Sequence, residues 1–361
     1  MMKHLVVTIT HHGLGHFAQT APVLNALRRS FPRLRLTLVT TVPEAKLRER
    51  LEGDFHLEAR ALDFGFVMQD AMNIDVGESA RAYRDFHEHW DARVAAESQW
   101  LARLQPDAVL ANVAYLPLAA AGSLGIPAFA MSSINWADLF AHTFAGEAWS
   151  PPIHAQMLAA YSCARLFIRL TPAMPMPDLS AVQAVGPVAR LGRRRHAELS
   201  TRLGAAEGER LVAVMFGGVD KRLPMENWLM EPGIRWLVPQ SWQIDHPRVQ
   251  ALEPLRWDYT DIIASVDAVI GKPGYGTFVE AACNGTPTLY ALRKDWPEQD
   301  YLIGWLQQHA RCLEVSLTAL ESGDVRASLE QLWRQAPMRP PQASGAEEVA
   351  ALLAGYFDSI G

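Results

Sequence analysis

Two series of short, uninterrupted aliphatic and β-branched runs, each run followed by a turn and a helical stretch, constrain this chain more than any other feature. Leu5-Val6-Val7-Thr8-Ile9 opens the first series. A run that is apolar at nearly every position marks a strand covered on both faces. The turn Gly13-Leu14-Gly15 follows, then helical spacing from Ala18 to Ser30 with Leu24 and Leu27 facing inward, then the run Leu34–Val39. Ala108–Ala111 and Ile126–Met131 repeat the pattern after the turns Gln105-Pro106-Asp107 and Leu124-Gly125. A second series opens with Leu211–Phe216 and the pair Gly217-Gly218, and continues with Val266–Ile270 and Thr286–Ala291. Such alternation predicts an α/β protein with parallel, doubly wound (Rossmann-like) sheets, and two series predict two domains.

Between Thr171 and Leu191 the prolines 172, 175, 177 and 187 crowd a stretch without a period, which reads as a linker. The expected division is therefore 1–190, 191–340 and a C-terminal helix over 341–361. Ser344 and Glu347 have the spacing of a capping box, and Val349, Leu352, Leu353, Tyr356, Phe357 and Ile360 trace one helical face.

Composition narrows the partners. The 361 residues carry 33 Lys and Arg against 39 Asp and Glu, a formal charge of −6, so no basic surplus exists to neutralise a nucleic-acid backbone. The one dense basic run, Arg193-Arg194-Arg195, is too short to change that. Three scattered cysteines, without metal-ligand spacing, point to a reducing compartment rather than a disulfide framework. No apolar window reaches the ~18–20 residues of a membrane span, and the apolar start is too short for a signal peptide. The expectation is a cytoplasmic protein.

The sharpest local pattern is Gly271-Lys272-Pro273-Gly274-Tyr275-Gly276-Thr277, between a predicted strand and the helical run Phe278–Cys283. Glycines let a backbone approach a ligand closely, and a helix start offers unpaired N–H groups and the positive dipole end to an anion. Thr277 adds a hydroxyl and Lys272 a point charge. Glu280, three residues on and assigned to the same first turn, would repel that anion, so it is expected to reach past it to neutral hydroxyls such as those of a ribose. Phosphate beside ribose spells a nucleotide. The plainer alternative is a tight turn with Glu280 complementing the helix dipole.

The stretch Val269–Glu280, with Gly285-Thr286-Pro287 and Glu298-Gln299, resembles the donor-binding signature of GT-B glycosyltransferases, in particular UDP-dependent members and the N-acetylglucosaminyltransferase of peptidoglycan synthesis. The resemblance implies two Rossmann-like domains facing each other across a cleft, with the C-terminal helix packing back on the first. It assigns Lys272, Gly274, Gly276 and Thr277 to the donor diphosphate, Glu280 to the ribose, and Glu298 and Gln299 to the donor sugar. Gly217 and Gly218 match the glycine turn near the diphosphate, and the loop around Arg256 and Trp257 lies where the base sits. No resident cofactor or metal is implied, the nucleotide sugar being a co-substrate.

In the first half, Gly15-His16 followed by Pro22 is similar to the turn that opens the acceptor domain of that family; in its plant-type members the matching histidine deprotonates the acceptor hydroxyl, and Gly15 is counted with the donor-binding residues. His16 has three further readings: a phosphate contact, a brace for its loop, or, with His11 and His12, a weak metal set. The plant-type pattern places an aspartate behind this histidine, and here Asn112 stands at that position, which supplies a weaker hydrogen bond to an imidazolium. Asp138 and Glu147 are rival carboxylates. The stretch Phe64–Trp100, with Asp70, Asn73, Asp75, Tyr83, His87 and His89, reads either as the acceptor pocket or as a pair of surface helices.

The reading is a metal-independent, inverting transfer from a nucleotide sugar, first of all a UDP-sugar, to a small-molecule, lipid or glycan acceptor. The alternatives are a hydrolase or epimerase on the same fold, or a non-catalytic nucleotide-sugar binding protein.

Overall fold

The computed structural model describes residues 2–10, 12, 14–217, 221–228 and 232–360. Two compact units divide the chain: Met1–Gln69 with Asn73–Val188 and Ser344–Gly361, and Ala189–Ala343 with the short piece Asp70–Met72.

The first unit is built on seven strands: β1 (His4–Ile9), β2 (Arg35–Val39), β3 (His56–Glu58), β4 (Ala108–Asn112), β5 (Ala128–Ser132), β6 (Leu166–Leu170) and β7 (Val182–Val185). They lie in the order β3-β2-β1-β4-β5-β6-β7, every pair parallel. The second unit has β8 (Arg210–Met215), β9 (Ile234–Val238), β10 (Val249–Ala251), β11 (Ala268–Gly271), β12 (Thr288–Tyr290) and β13 (Cys312–Glu314), ordered β10-β9-β8-β11-β12-β13 and again parallel. The fold is thus α/β with two doubly wound sheets.

The apolar runs are explained by burial on both faces. Val212, Val214, Phe216, Ala268 and Ile270 enter one core layer of the second unit, while Leu211, Ala213, Met215 and Val269 enter the layer on the opposite face. At ~25 cal/mol per Å² of apolar surface removed from water, two such faces are what hold a parallel sheet together.

Both sheets reverse strand order at their first strand. In the first, β1 lies between β2 and β4; in the second, β8 lies between β9 and β11. Loops at the carboxyl ends of these pairs diverge to opposite faces, and ligands bind there in open α/β sheets. His16 follows β1 and Asn112 ends β4, with Ile9 and Asn112 in register. Gly217 follows β8 and Lys272 follows β11, with Met215 and Gly271 in register.

The C-terminal helix, Gly345–Ser359, packs on the helix Gly15–Ser30 of the first unit. The Phe357 ring meets Phe31 edge-on at 5.6 Å, and Tyr356 donates a hydrogen bond of 3.1 Å to the Asp107 carbonyl. Gly345 is required there, because a Cβ would fall 2.1 Å from the Gly186 carbonyl oxygen.

Three expectations are corrected. The Thr171–Leu191 stretch is not simply linker, since β7 lies within it and completes the first sheet. Ser344 makes no capping hydrogen bond; Glu347 pairs instead with Arg29, and Glu348 accepts from the Gly186 amide. Ile360, assigned to the inner face, is 42% exposed. Of the two readings of the stretch 64–100, the pair of helices is present, as Val76–Glu88 and Trp90–Leu104, with Tyr83 and His87 buried inside aromatic packing. Among the described residues no helix is long and apolar enough to cross a membrane.

Candidate functional site

In the second unit, the helix Tyr275–Asn284 starts directly after β11, with Gly274 as its N-cap and no side chain capping it. The Phe278 amide makes the first intrahelical bond, 3.1 Å to the Gly274 carbonyl. The amides of Gly276 and Thr277 therefore lie ahead of that bond, at the positive end of the dipole. Gly274 leaves room here: a Cβ would meet nothing closer than the Lys272 ammonium nitrogen at 3.8 Å. Thr277 Oγ1 lies 3.5 Å from the Tyr259 hydroxyl.

Lys272 is part-buried, and desolvation with the nearby Arg293 cation pulls its ammonium down to about 7, against the opposing pull of Glu298. An ammonium this reluctant to stay charged is poised to gain from an incoming anion. Lys272, Gly274, Gly276 and Thr277 are thus brought together at one strand end and one helix start.

Glu280 differs from expectation. With the helix beginning at Tyr275 it belongs to the second turn, and it is 2% exposed. Its charge, added to burial, helps push the Cys283 thiol up to about 12.

Glu298 opens the helix Glu298–His309 and accepts a 3.0 Å bond from the Trp296 indole. Gln299 spans the backbone of Arg293, accepting from its amide at 3.0 Å and donating to its carbonyl at 3.1 Å. Arg293, which no motif marked, is 6% exposed, with its guanidinium 3.8 Å from the centre of the Trp296 ring. Burial lowers it to about 10, with Glu298 and Asp70 acting the other way.

Arg256 is exposed in a left-handed conformation (φ 53°), and Trp257 is covered on one side by the Arg195 guanidinium at 3.9 Å. Gly217 is exposed at φ 84°, while Gly218 lies outside the described residues.

In the first unit, Gly15 is the first residue of its helix with open space where a Cβ would sit. His16 is 7% exposed, and its Nδ1 lies 3.0 Å from Asn112 Oδ1. Asn112 Nδ2 donates to Gln19 Oε1 at 3.2 Å, and Gln19 Nε2 donates to Ser133 Oγ at 3.0 Å. This chain of amides fixes the acceptor oxygen of Asn112 towards the imidazole, so Nδ1 carries the hydrogen and Nε2 a lone pair. Trp136 closes over the ring edge at 5.6 Å. Burial pulls the imidazole down to about 4, outweighing the Asn112 and Gln19 hydrogen bonds. His16 is therefore uncharged at neutral pH. His12 also lies edge-on to Trp136, at 5.3 Å; His11 and Gly13 lie outside the described residues.

The rival carboxylates are accounted for locally. Asp138 sits in the first turn of a helix capped by Asn135, with its carboxyl raised by burial; Glu147 accepts from the Trp149 indole. A carboxylate the sequence did not mark is Asp63, 6% exposed, which accepts from the Thr10 hydroxyl and the Tyr115 amide, both at 2.7 Å. Burial raises it to about 7. It anchors the start of the helix Leu116–Ser123 to the end of β1, a tertiary role no local spacing announces.

No family model matches the chain. It is 26% identical over 357 residues to the L-arabinokinase of Arabidopsis thaliana; the match takes 97% of this chain but 34% of that protein, so the chain spans about a third of the curated relative's length. Among solved structures it superposes on a UDP-glucosyltransferase from Polygonum tinctorium with a TM-score of 0.61 at 14% identity, covering 99% of each chain. The glycosyltransferase SnogD from Streptomyces nogalater gives 0.56 at 17% identity, over 98% of this chain and 99% of that one. Arabidopsis thaliana UGT89C1, solved with quercetin, gives 0.59 at 15% identity, over 98% and 94%. With its two parallel sheets and returning C-terminal helix, the chain has the GT-B fold of these glycosyltransferases.

Proposed function

We propose that the protein transfers a sugar from a nucleotide sugar, with a UDP-sugar as the first donor to test, to a hydroxyl-bearing acceptor, with inversion and without a metal ion. The observation that carries this reading is the helix start at Gly274, with Lys272 held partly desolvated over it. Amides, a hydroxyl and an ammonium lie together at this helix start, the kind of donor set a diphosphate calls for. In this reading Gly217 and Gly218 border the phosphates, Glu280 and Glu298 serve the neutral hydroxyls of the donor, and Arg256 borders the base.

His16 supplies the acceptor side. Its neutral Nε2 accepts a hydrogen bond from the acceptor hydroxyl. As the hydroxyl oxygen bonds to the anomeric carbon, the carbon–oxygen bond to the diphosphate breaks and the electron pair leaves with the diphosphate. The hydroxyl proton passes to Nε2 late, once the attacking oxygen has become acidic, because Asn112 offers no carboxylate to stabilise the imidazolium earlier. Lys272 and the helix amides take the charge of the leaving group, a task a metal ion performs elsewhere.

A second reading has one observation in its favour. With Asn112 behind it and its basicity lowered to about 4, His16 makes a weak base, which suits a unit that binds nucleotide sugars without turning them over. The match to a third of a longer protein named for a sugar kinase fits such a unit as well. Three unbridged thiols suit a reducing, cytoplasmic setting.

The test is a thermal-shift titration with nucleoside diphosphates, followed by turnover of UDP-sugars with and without acceptor alcohols. Stabilisation that grows with ligand concentration is expected. Absence of any shift across all nucleoside diphosphates would refute the donor site. Nucleotide release without acceptor would favour a hydrolase, and tight binding without turnover the binding module.

A further inference from the structure

Lys272 and Arg293 follow the paired ends of β11 and β12, where Gly271 and Tyr290 are in register and the Ala291 amide donates a 3.1 Å bond to the Gly271 carbonyl, and the charge of Arg293 reaches the Lys272 ammonium. Among the described residues neither side chain lies within ion-pair distance of a carboxylate. Arg293 is buried with its Nε unsatisfied. The carboxylates whose fields reach Arg293 are otherwise occupied: Glu298 receives the Trp296 indole and Asp70 lies 3.5 Å from Lys221. A guanidinium is normally buried only where its fork of donors is met. Yet this one is held with care. Its charged plane rests on Trp296 and its backbone is clasped at both ends by Gln299. Neither support satisfies the fork: one packs against its plane and the other fixes the backbone that carries it.

We propose that Arg293 is a second anion-binding cation of the donor site, acting with Lys272 as a two-cation clamp on the diphosphate, and that Gln299 is a positioning residue acting through Arg293. This deepens the donor-site reading above and rests on it. The clamp fits a ligand with at least two negative charges, because a single charge would leave one buried cation unmatched. Gln299, read from the family signature as a sugar contact, here has both ends of its amide committed to the Arg293 backbone.

The experiment is isothermal titration of UDP and of uridine into wild type, Arg293→Gln, Arg293→Lys, Gln299→Ala and the double variant Arg293→Gln/Gln299→Ala. Removing a charged donor from the clamp should weaken UDP roughly 10- to 100-fold while leaving uridine unchanged. Arg293→Lys, keeping charge but losing the fork and the stacking, should fall between. Gln299→Ala should weaken UDP in the wild-type background and have no effect once Arg293 is gone, a non-additivity that a merely structural role would not produce. The ligand-free melting temperature of Arg293→Gln should match or exceed wild type, since an unmatched buried cation is removed. UDP affinity unchanged in a folded Arg293→Gln, or losses that simply add in the double variant, would overturn the proposal. Failure of wild type to bind UDP or any other nucleoside diphosphate would instead overturn the donor site beneath it.

Discussion

If the proposed donor site holds a diphosphate, Lys272 couples its binding to a proton. In the ligand-free protein its ammonium is pulled down to about 7 by desolvation and by Arg293. A bound diphosphate favours the charged form, so binding above pH 7 must first return a proton to Lys272. Each pH unit above the free value should then cost about 1.4 kcal/mol, or tenfold in affinity, until the value in the complex is reached. Between pH 7 and 9 the loss should approach 100-fold. Phosphate ionisation contributes little over this range, since its second step lies near ~6. Arg293, at about 10, stays charged almost throughout. The assay is calorimetric titration of UDP at pH 7, 8 and 9, each in two buffers of different ionisation enthalpy, for wild type and Lys272→Arg. Wild type should take up close to one proton per ligand at the upper end. Lys272→Arg, always charged, should show a flat profile and no uptake. Parallel slopes in the two proteins would refute the argument, since the proton would then belong to another group.

Other outcomes follow from the same geometry. Gly274→Ala should fold with a melting temperature close to wild type, because the added Cβ meets only ordinary contacts 3.8–3.9 Å away, yet it should weaken UDP by tenfold or more if ligand backbone approach is what the glycine serves; equal affinity would remove Gly274 from the site. Asp63 holds a proton up to about pH 7 in the folded chain but only to about 4 when unfolded. The native state therefore binds more protons between those values, and the stability of wild type relative to Asp63→Asn should fall by about 4 kcal/mol from pH 4 to 7 and then level off. Urea unfolding of both proteins at several pH values reads this; a difference that is constant with pH would show that Asp63 is ionised throughout. His16→Ala should cut turnover far more than donor affinity, and comparable losses in both would move His16 from the acceptor to the phosphates.

Much of the architecture is local in origin. Strand positions, the helix start after β11 and the two-series organisation are written in runs of apolar residues and in glycines, because burial on both faces and close backbone approach demand those residue types wherever they occur. The grouping of Lys272, Gly274 and Thr277 was legible for the same reason: a strand end and helix start place sequence neighbours together. Tertiary structure alone decided what depends on distant neighbours. The charge of Arg293 reaches Lys272 from the next strand's end, Asp63 meets the end of β1 and the start of a helix over fifty residues on, and Gln299 turns back on Arg293. The capping spacing at Ser344 and Glu347 was real as a pattern, but Gly186 and Arg29 drew the local carboxylates elsewhere. Above all, charge states were beyond the sequence. Whether His16 sits near 4 and Lys272 near 7 depends on how much water the folded chain excludes around each, and that desolvation is a property of packing, not of any residue or its neighbours in the chain.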